Sequence, residues 1–361
     1  MTLTNFPYDP LLDLAPWVGQ RQATFRFDLY NAVTGYVLGE IKPIRAATLT
    51  HSTGRTIKRQ LTFPLGREDT AAVNVVQERV RPYMVFPDGT EYPLGVYMFT
   101  DTSREVFTSG KLGEYVLNDE MFLVDQQLDT GFTPLTQGTT YEPIAMMVTR
   151  LLQDLPITFQ LEQSEYASSQ AYSIGTSRGR ICEDLSLTGD WFSPWFDNNG
   201  VMQWIRAFDP ALAVPDFDWD AGNQVLREGI VETDNLLTAP NVFIVTSNSS
   251  ADNRLPVYGR YEVPPVAPHS RQNRGFLIPQ VEDWPVLDNG QAATVARNLG
   301  IRQTVFETVN LSTAPDPRHD SYNVIQWQGE NWLELAWGMP LTEGGTMTHV
   351  LRKAYRDSAP L

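Results

Sequence analysis

The sequence predicts a mainly β protein with a small α+β part, and three observations carry the prediction. Short runs with apolar side chains at every second position recur along the chain, each bounded by turn residues. Twenty-five glycines and twenty-five prolines are scattered through the sequence, which favours many short elements over long helices. Helical signatures are confined to 140–155, 177–189 and 289–299, with one further short segment after 118.

A length of 361 residues exceeds one small core, and about 100–200 residues per domain gives roughly two to four units. The 42% hydrophobic and 19% charged content is that of an ordered protein. A net charge of −16 argues against a protein that grips nucleic acid or an anionic membrane, and solubility is the plain reading of the acidity. Cys182 is the sole cysteine, so neither an intrachain disulfide nor a thiolate metal cage forms, and its place on an apolar helix face predicts a buried, inert thiol. Pro7, Asp9, Pro10, Asp13 and Pro16 interrupt every apolar run near the start, so no signal peptide is read. No stretch approaches the ~18–20 apolar residues of a membrane span. The expectation is a soluble protein synthesised in a cytoplasm, with no stable membrane insertion.

Residues 1–20 read as an irregular arm whose Leu11, Leu12, Leu14 and Trp17 are available to anchor on a neighbour. A first β domain spans 21–113. Phe25, Phe27 and Leu29 alternate with Thr24, Arg26 and Asp28, as in a half-buried strand. Residues 31–35 turn the chain into a strand at 36–41. Strands at 44–50 and 56–63 flank Ser52-Thr53-Gly54, and strands at 83–86 and 95–100 flank Pro87-Asp88-Gly89.

An α+β unit spans 114–207. It opens with YVLNDEMFLVDQQL (115–128), a strand that passes into a short helical segment. Thr140 is placed to cap the next helix, and Pro143 sits in its first turn, where a missing N–H does no harm. Ile144, Met147, Val148, Leu151, Leu152 and Leu155 form one apolar stripe, which Pro156 ends. A strand follows at 157–161. The best-organised stretch is 175–206. There Ser177 is a helix N-cap, Ile181, Cys182 and Leu185 share a face, and Gly189 is placed to end the helix in a left-handed conformation. Two aromatic-rich strands, 191–196 and 201–205, are joined by Asp197-Asn198-Asn199-Gly200, residues suited to reversing the chain. Pro194 cannot donate to a ladder, so the first of these strands is an edge or a bulged one.

A second β-rich part covers 208–361, with a peripheral or inserted segment around 247–320. A strand is read at 242–246, a polar loop at 247–254, and a proline-rich stretch of little periodicity at 258–285. A helix spans 289–299, with Asp288 and Gln291 spaced as a capping box and Gly300 as its stop. Strands near 303–311, 322–327, 332–337 and 347–356 complete the chain.

No constellation with catalytic spacing emerges. Asp216, Asp218 and Asp220 would share one face of a strand and suit calcium, but Ala221 and Arg227 stand where a calcium loop needs glycine and glutamate. A solvated acidic face is the favoured reading. His51, His269, His319 and His349 are far apart in sequence and read as surface or loop residues. There is no nucleophile elbow, phosphate-binding loop or dinucleotide fingerprint. Trp191, Trp195, Trp204, Trp327, Trp332 and Trp337 sit in strand-like runs, where core or subunit packing outweighs sugar stacking. The expectation is a protein with no catalytic, cofactor or metal residues and no hydrolytic activity.

Three stretches resemble the tail hub (baseplate hub) proteins of tailed bacteriophages, a group that includes the hubs of contractile tails and of type VI secretion spikes. Residues 115–128 are similar to the strand-Asp-leucine segment closing that family's first domain. Residues 143–155 and 181–206 are similar to its helix, short helix, aromatic, D-x-x-G, strand unit. Asn241-Val-Phe-Ile-Val, with Gln291-Ala-Ala-Thr-Val-Ala-Arg-Asn-Leu, resembles its later strand and alanine-rich helix. The likeness runs from about residue 20 onward. It departs where many hubs carry a Gly-Asp-apolar-apolar turn, since His319-Asp320-Ser321-Tyr322 stands there, and no C-terminal lytic or fibre domain is read before Leu361.

The resemblance implies two tail-tube-like antiparallel β-barrel or sandwich domains with the α+β unit inserted peripherally, away from the channel. It implies a homotrimer in the virion tail tip. Its partners would be the distal tail protein, the tail tube protein, the tape-measure protein and a central fibre or spike, and DNA would pass through the lumen without specific binding. Trp332 to Trp337 and Phe25 to Leu29 are read as unprotected sheet edges that ring closure would cover. The other readings are a virion or extracellular carbohydrate-binding protein or glycosidase that uses the tryptophans, and a hexameric distal tail protein.

Overall fold

A computed structural model of the chain describes residues 23–66, 73–107, 110–137, 140–220, 225–234, 237–247, 257–303 and 307–354. The arm expected over 1–20 lies outside them. The first part holds β1 (Thr24–Asn31), β2 (Val37–Glu40), β3 (Ala47–Ser52), β4 (Arg59–Leu65), β5 (Glu78–Val85), β6 (Glu91–Pro93), β7 (Tyr97–Phe107) and β8 (Gly110–Asn118). Next come α1 (Met121–Val124), β9 (Thr136–Gln137), β10 (Thr140–Tyr141), α2 (Ile144–Leu152), β11 (Thr158–Leu161), α3 (Arg178–Thr188), β12 (Trp195–Phe196) and β13 (Val201–Trp204). The rest comprises β14 (Phe217–Asp218), β15 (Val225–Asp234), β16 (Val242–Ser247), β17 (Val257–Glu262), α4 (Arg271–Arg274), β18 (Pro279–Asp283), α5 (Asn289–Gln303), β19 (Glu307–Thr313), β20 (Val324–Trp327), β21 (Glu330–Leu341) and β22 (Met347–Lys353).

One sheet runs through both β-rich parts, in the order β15-β19-β22-β21-β3-β4-β8-β7-β5-β1-β2. The joint is antiparallel pairing of β21 with β3, from Ala336 opposite Ser52 to Leu341 opposite Ala47. Four strands from each side of this joint make an eight-stranded arc. At its end the path turns a corner, because β5 meets β7 only at Tyr97 and Met98. Trp337, Met339, Leu341 and Met347 accordingly share a core with Leu49, Leu61, Phe63 and Tyr115. Neither β1 nor the stretch from Trp332 to Trp337 is an edge. β1 lies between β2 and β5, and β21 pairs with β3, β20 and β22, so the backbone edges of both strands are already paired within the chain.

Between residues 121 and 204, the stripe Ile144, Met147, Val148, Leu151 and Leu152 packs with Ile181, Cys182, Leu185, Trp191 and Trp204 in a core of its own. Ser177 caps α3, its hydroxyl accepting from the Arg180 N–H. Gly189 closes the helix at φ −91°, and Asp190, at φ 65°, makes the left-handed step expected of the glycine. Asp190 affords that conformation because its carboxylate is bonded by Asn298 and Arg206. Thr140 lies in β10, and α2 starts instead from Pro143, whose fixed φ of −57° suits a helix start while no side chain caps it. β11 and β12 flank β13, which leaves β12 at an edge as Pro194 requires.

The proline-rich 258–285 stretch contains two strands, β17 and β18. Together with β16 they form a mixed three-stranded sheet, and α5 packs on one face of it. Its period is weak in sequence because Gly259 and the exposed side chains of β18 break the alternation. α5 runs past Gly300, which does not stop it. That glycine instead brings the helix against the rings of Tyr261 and Phe243, where a Cβ would lie 2.5 Å from Tyr261.

Candidate functional site

The connection from β19 to β20, residues 314–323, is unusual because it is a largely buried loop. Pro315 and Pro317 deny it backbone donors, so regular structure is excluded and side chains supply its bonds. Asp316 accepts from the Arg318 N–H and guanidinium, Asn323 accepts from the Asp320 N–H, and Tyr322 sits at φ 63°. Three parts of the molecule meet on this loop.

From the first part, the Arg59 guanidinium donates to Asp320 at 2.5 Å and to Asn198 at 2.6 Å, and lies over the Trp337 ring. His51 Nε2 bonds Ser321 Oγ at 2.6 Å. From the α+β unit, Asn198 donates to the Pro317 carbonyl and Phe192 stacks on Tyr322 with centroids 4.3 Å apart. Asn198 belongs to the Asp197–Gly200 turn, so a reversal legible in sequence delivers the amide to the junction.

From the second β part comes a triad. His319 Nδ1 bonds Glu334 Oε2 at 2.8 Å, and His349 Nδ1 bonds Glu334 Oε1 at 2.6 Å. Phe217 stacks flat on His319 at 4.1 Å, and Trp219 meets His349 edge-on at 5.0 Å. All three triad residues are at most 2% exposed. Burial favours the neutral acid of Glu334, but the facing histidines outweigh it and bring the group down to about 2. Burial opposes a charge on His319 too, yet the Glu334 carboxylate raises its pKa. Burial prevails at His349, which is lowered, and at His51, which is lowered further. Arg59 is also desolvated, and Asp320 holds its charge in place.

His269 and His319 lie in loops, as expected, but all four histidines are buried and His51 and His349 sit in strands, which corrects the expected surface placement. Sequence spacing missed the triad because its members come from a loop and two strands. One signal was available, a single carboxylate inside the apolar run Trp332-Leu333-Glu334-Leu335-Ala336-Trp337. The donor types are those that hold divalent metals, and their ligand atoms lie within 4.8 Å of one another. Separations of 2.6 and 2.8 Å are N–H···O bond lengths, however, and a metal-bound nitrogen carries no such proton. The arrangement is that of a carboxylate clamped by two protons.

Asp216 and Asp220 have another occupation than calcium. Asp216 accepts from the Val324 N–H, and Asp220 accepts from both Gln328 and Gly329 at 2.6 and 2.7 Å, bracing the β20–β21 turn. Asp218 accepts from the Asp220 N–H. A chelator is expected to leave Tm unchanged, while Asp220→Ala costs about 1 kcal/mol by removing the acceptor of two turn N–H groups. A chelator-induced fall in Tm that calcium reverses would contradict this.

The six tryptophans weighed for sugar stacking are all buried, which removes the main support for a carbohydrate-binding surface. Cys182 is fully buried and burial pushes its thiol well above the ordinary value, in keeping with an inert group. No helix among the described residues is long and apolar enough to cross a membrane.

No family model matches the chain, and no curated protein matches it in sequence. Solved structures do resemble it over nearly its whole length. The tail protein from Neisseria meningitidis MC58 superposes with a TM-score of 0.57 at 10% identity, covering 91% of this chain and 97% of that one. The prophage MuSo2 tail protein from Shewanella oneidensis gives 0.57 at 11% identity, covering 92% and 98%. A prophage tail protein from Listeria monocytogenes EGD-e gives 0.57 at 8%, covering 92% and 95%. The fold is that of phage tail proteins. The resemblance carried by residues 115–128, 143–155, 181–206 and 241–245 with 291–299 and the structural likeness therefore agree on the fold. Of the triad, His319 stands next to Asp320 in His319-Asp320-Ser321-Tyr322, while Glu334 and His349 come from β21 and β22.

Proposed function

We propose that the chain is a structural virion protein, a hub at the distal end of a phage tail that works as a ring of three copies. The observation that supports this is the eight-stranded arc and its two ends. On one side β15 pairs only with β19 among the described residues. On the other, β7 continues along β8 to Phe107 while β5 leaves it after Met98, so its far half has no second neighbour among the described residues. Such ends present rows of unpaired N–H and C=O groups. Joining β15 of one copy to β7 of the next meets both needs, and the β21–β3 joint provides a pattern for that contact within one chain. Three arcs closed at a strand spacing of about 4.8 Å give a barrel roughly 40 Å across, wide enough for a DNA duplex.

In this reading the ring joins the tail tube and distal tail protein to a central fibre or spike, and its lumen passes tape-measure protein and then DNA. The net charge of −16 suits a conduit along which DNA slides without sticking. The unit at 114–207 sits outside the ring, since it brings its own core. The chain acts by assembly and not by catalysis, is made in the host cytoplasm and resides at the tail tip. Counting copies in assembled particles by electron microscopy tests this. Three copies at one level are expected. Six would make the chain a distal tail protein, and one would remove the ring.

A further inference from the structure

We propose that His319, Glu334 and His349 form a proton-set latch at the junction of the three parts, fully closed only when the two imidazoles hold three ring protons between them. Glu334 offers one oxygen to each Nδ1, so each histidine needs a proton there. That accounts for two. The third balances the buried carboxylate, since the triad otherwise carries an uncompensated negative charge in a site closed by Phe217 and Trp219.

The surroundings decide which ring takes the third proton. His319 faces Glu334, Asp316 and Arg318, and Arg318 already neutralises Asp316 through two bonds from its guanidinium. His349 faces Glu334, His319 and Asp316, and its Nε2 lies 2.8 Å from Thr313 Oγ1. The Thr313 hydroxyl also has the Ala314 carbonyl at 2.9 Å as a second acceptor. With His349 neutral, the hydroxyl donates to Nε2. With His349 charged, Nε2 donates and the hydroxyl turns to Ala314. A fourth proton can therefore enter without orphaning a bond, but it leaves a net positive charge beside Arg318, on a loop that the Arg59 guanidinium already contacts through Asp320 and that His51 contacts through Ser321. Removing the third proton leaves a net negative charge instead. Either change weakens the loop on which all three parts meet.

The two limbs have opposite signs. His319 is raised, so its contribution is complete below 6.5 and is lost as pH rises through its folded value. His349 is lowered, so stability falls as pH drops from 6.5 toward its folded value. Burial raises Asp119 to about 6 and Glu120 to about 7 and lowers His51 and His269, so the useful readout is variant minus wild type.

Thermal unfolding of the full chain would be followed from pH 5 to 9 for wild type, His319→Gln and His349→Gln. The Tm deficit of His349→Gln is expected to shrink by about half between pH 7 and 5, and that of His319→Gln to shrink as pH rises from 7 to 9. Should a variant fail to fold, imidazole 15N shifts of wild type at pH 7 give the same information: one ring protonated on both nitrogens and the other on Nδ1 alone. Deficits independent of pH, two rings in the same protonation state, or an equimolar metal in the purified protein would each overturn the latch.

Discussion

Gly259→Ala is expected to destabilise the protein by about 3 kcal/mol or more and to detach α5 from its sheet. Gly259 is where the backbone of β17 comes against the backbone of the helix. A Cβ there would lie 2.1 Å from the carbonyl carbon of Ala292, and 2.3 Å from its oxygen and from the Ala293 nitrogen. These are backbone atoms, so no rotamer change relieves the overlap and the whole helix must move by more than an ångström. Ala292, Val295, Ala296 and Leu299 would leave Phe243, Val245 and Val257 together, which makes the loss cooperative. Gly300→Ala meets the Tyr261 ring at 2.5 Å, and because a side chain yields more readily than backbone its cost is expected to be smaller. Urea unfolding, with hydrogen exchange read over 289–303, checks both. A Gly259→Ala cost below about 1 kcal/mol would refute the close-approach argument.

Arg59→Leu is the second large effect, expected at about 3–5 kcal/mol. The guanidinium is buried, and one side chain serves Asp320 and Asn198 while covering Trp337. Leucine replaces the volume but strands a carboxylate that is itself largely out of water. Arg59→Lys is expected to recover only part of the loss, because an ammonium lacks the planar fork that reaches two acceptors at once. Adding Asp320→Asn to Arg59→Leu should return part of the stability, and the size of that return measures the pair. Strictly additive losses would mean that the ion pair contributes nothing.

Both residues show where sequence reading runs out. Gly259 and Gly300 are legible as glycines, but the backbone and rings that demand them come from β16, β17 and α5 packed together. Arg59, Asn198 and Asp320 converge from three regions of the chain, and no spacing rule connects them. The triad was hidden for the same reason. The sheet edges were misplaced because alternation reveals that a strand has an apolar face and not which strand lies beside it, so Trp332 to Trp337 gave no sign of pairing with β3.

What the sequence determined by itself were the features whose bonds close within a few residues. The Ser177 cap, the apolar stripe of α2, the Asp197–Gly200 reversal and the mainly β character all follow from local donors, fixed dihedrals and the period of apolar side chains. The tertiary structure alone decided the strand order among the described residues and the buried loop on which three parts meet. Those depend on which distant surfaces exclude water together, and a charge such as Glu334 is tolerable only once that burial has placed its two proton donors beside it.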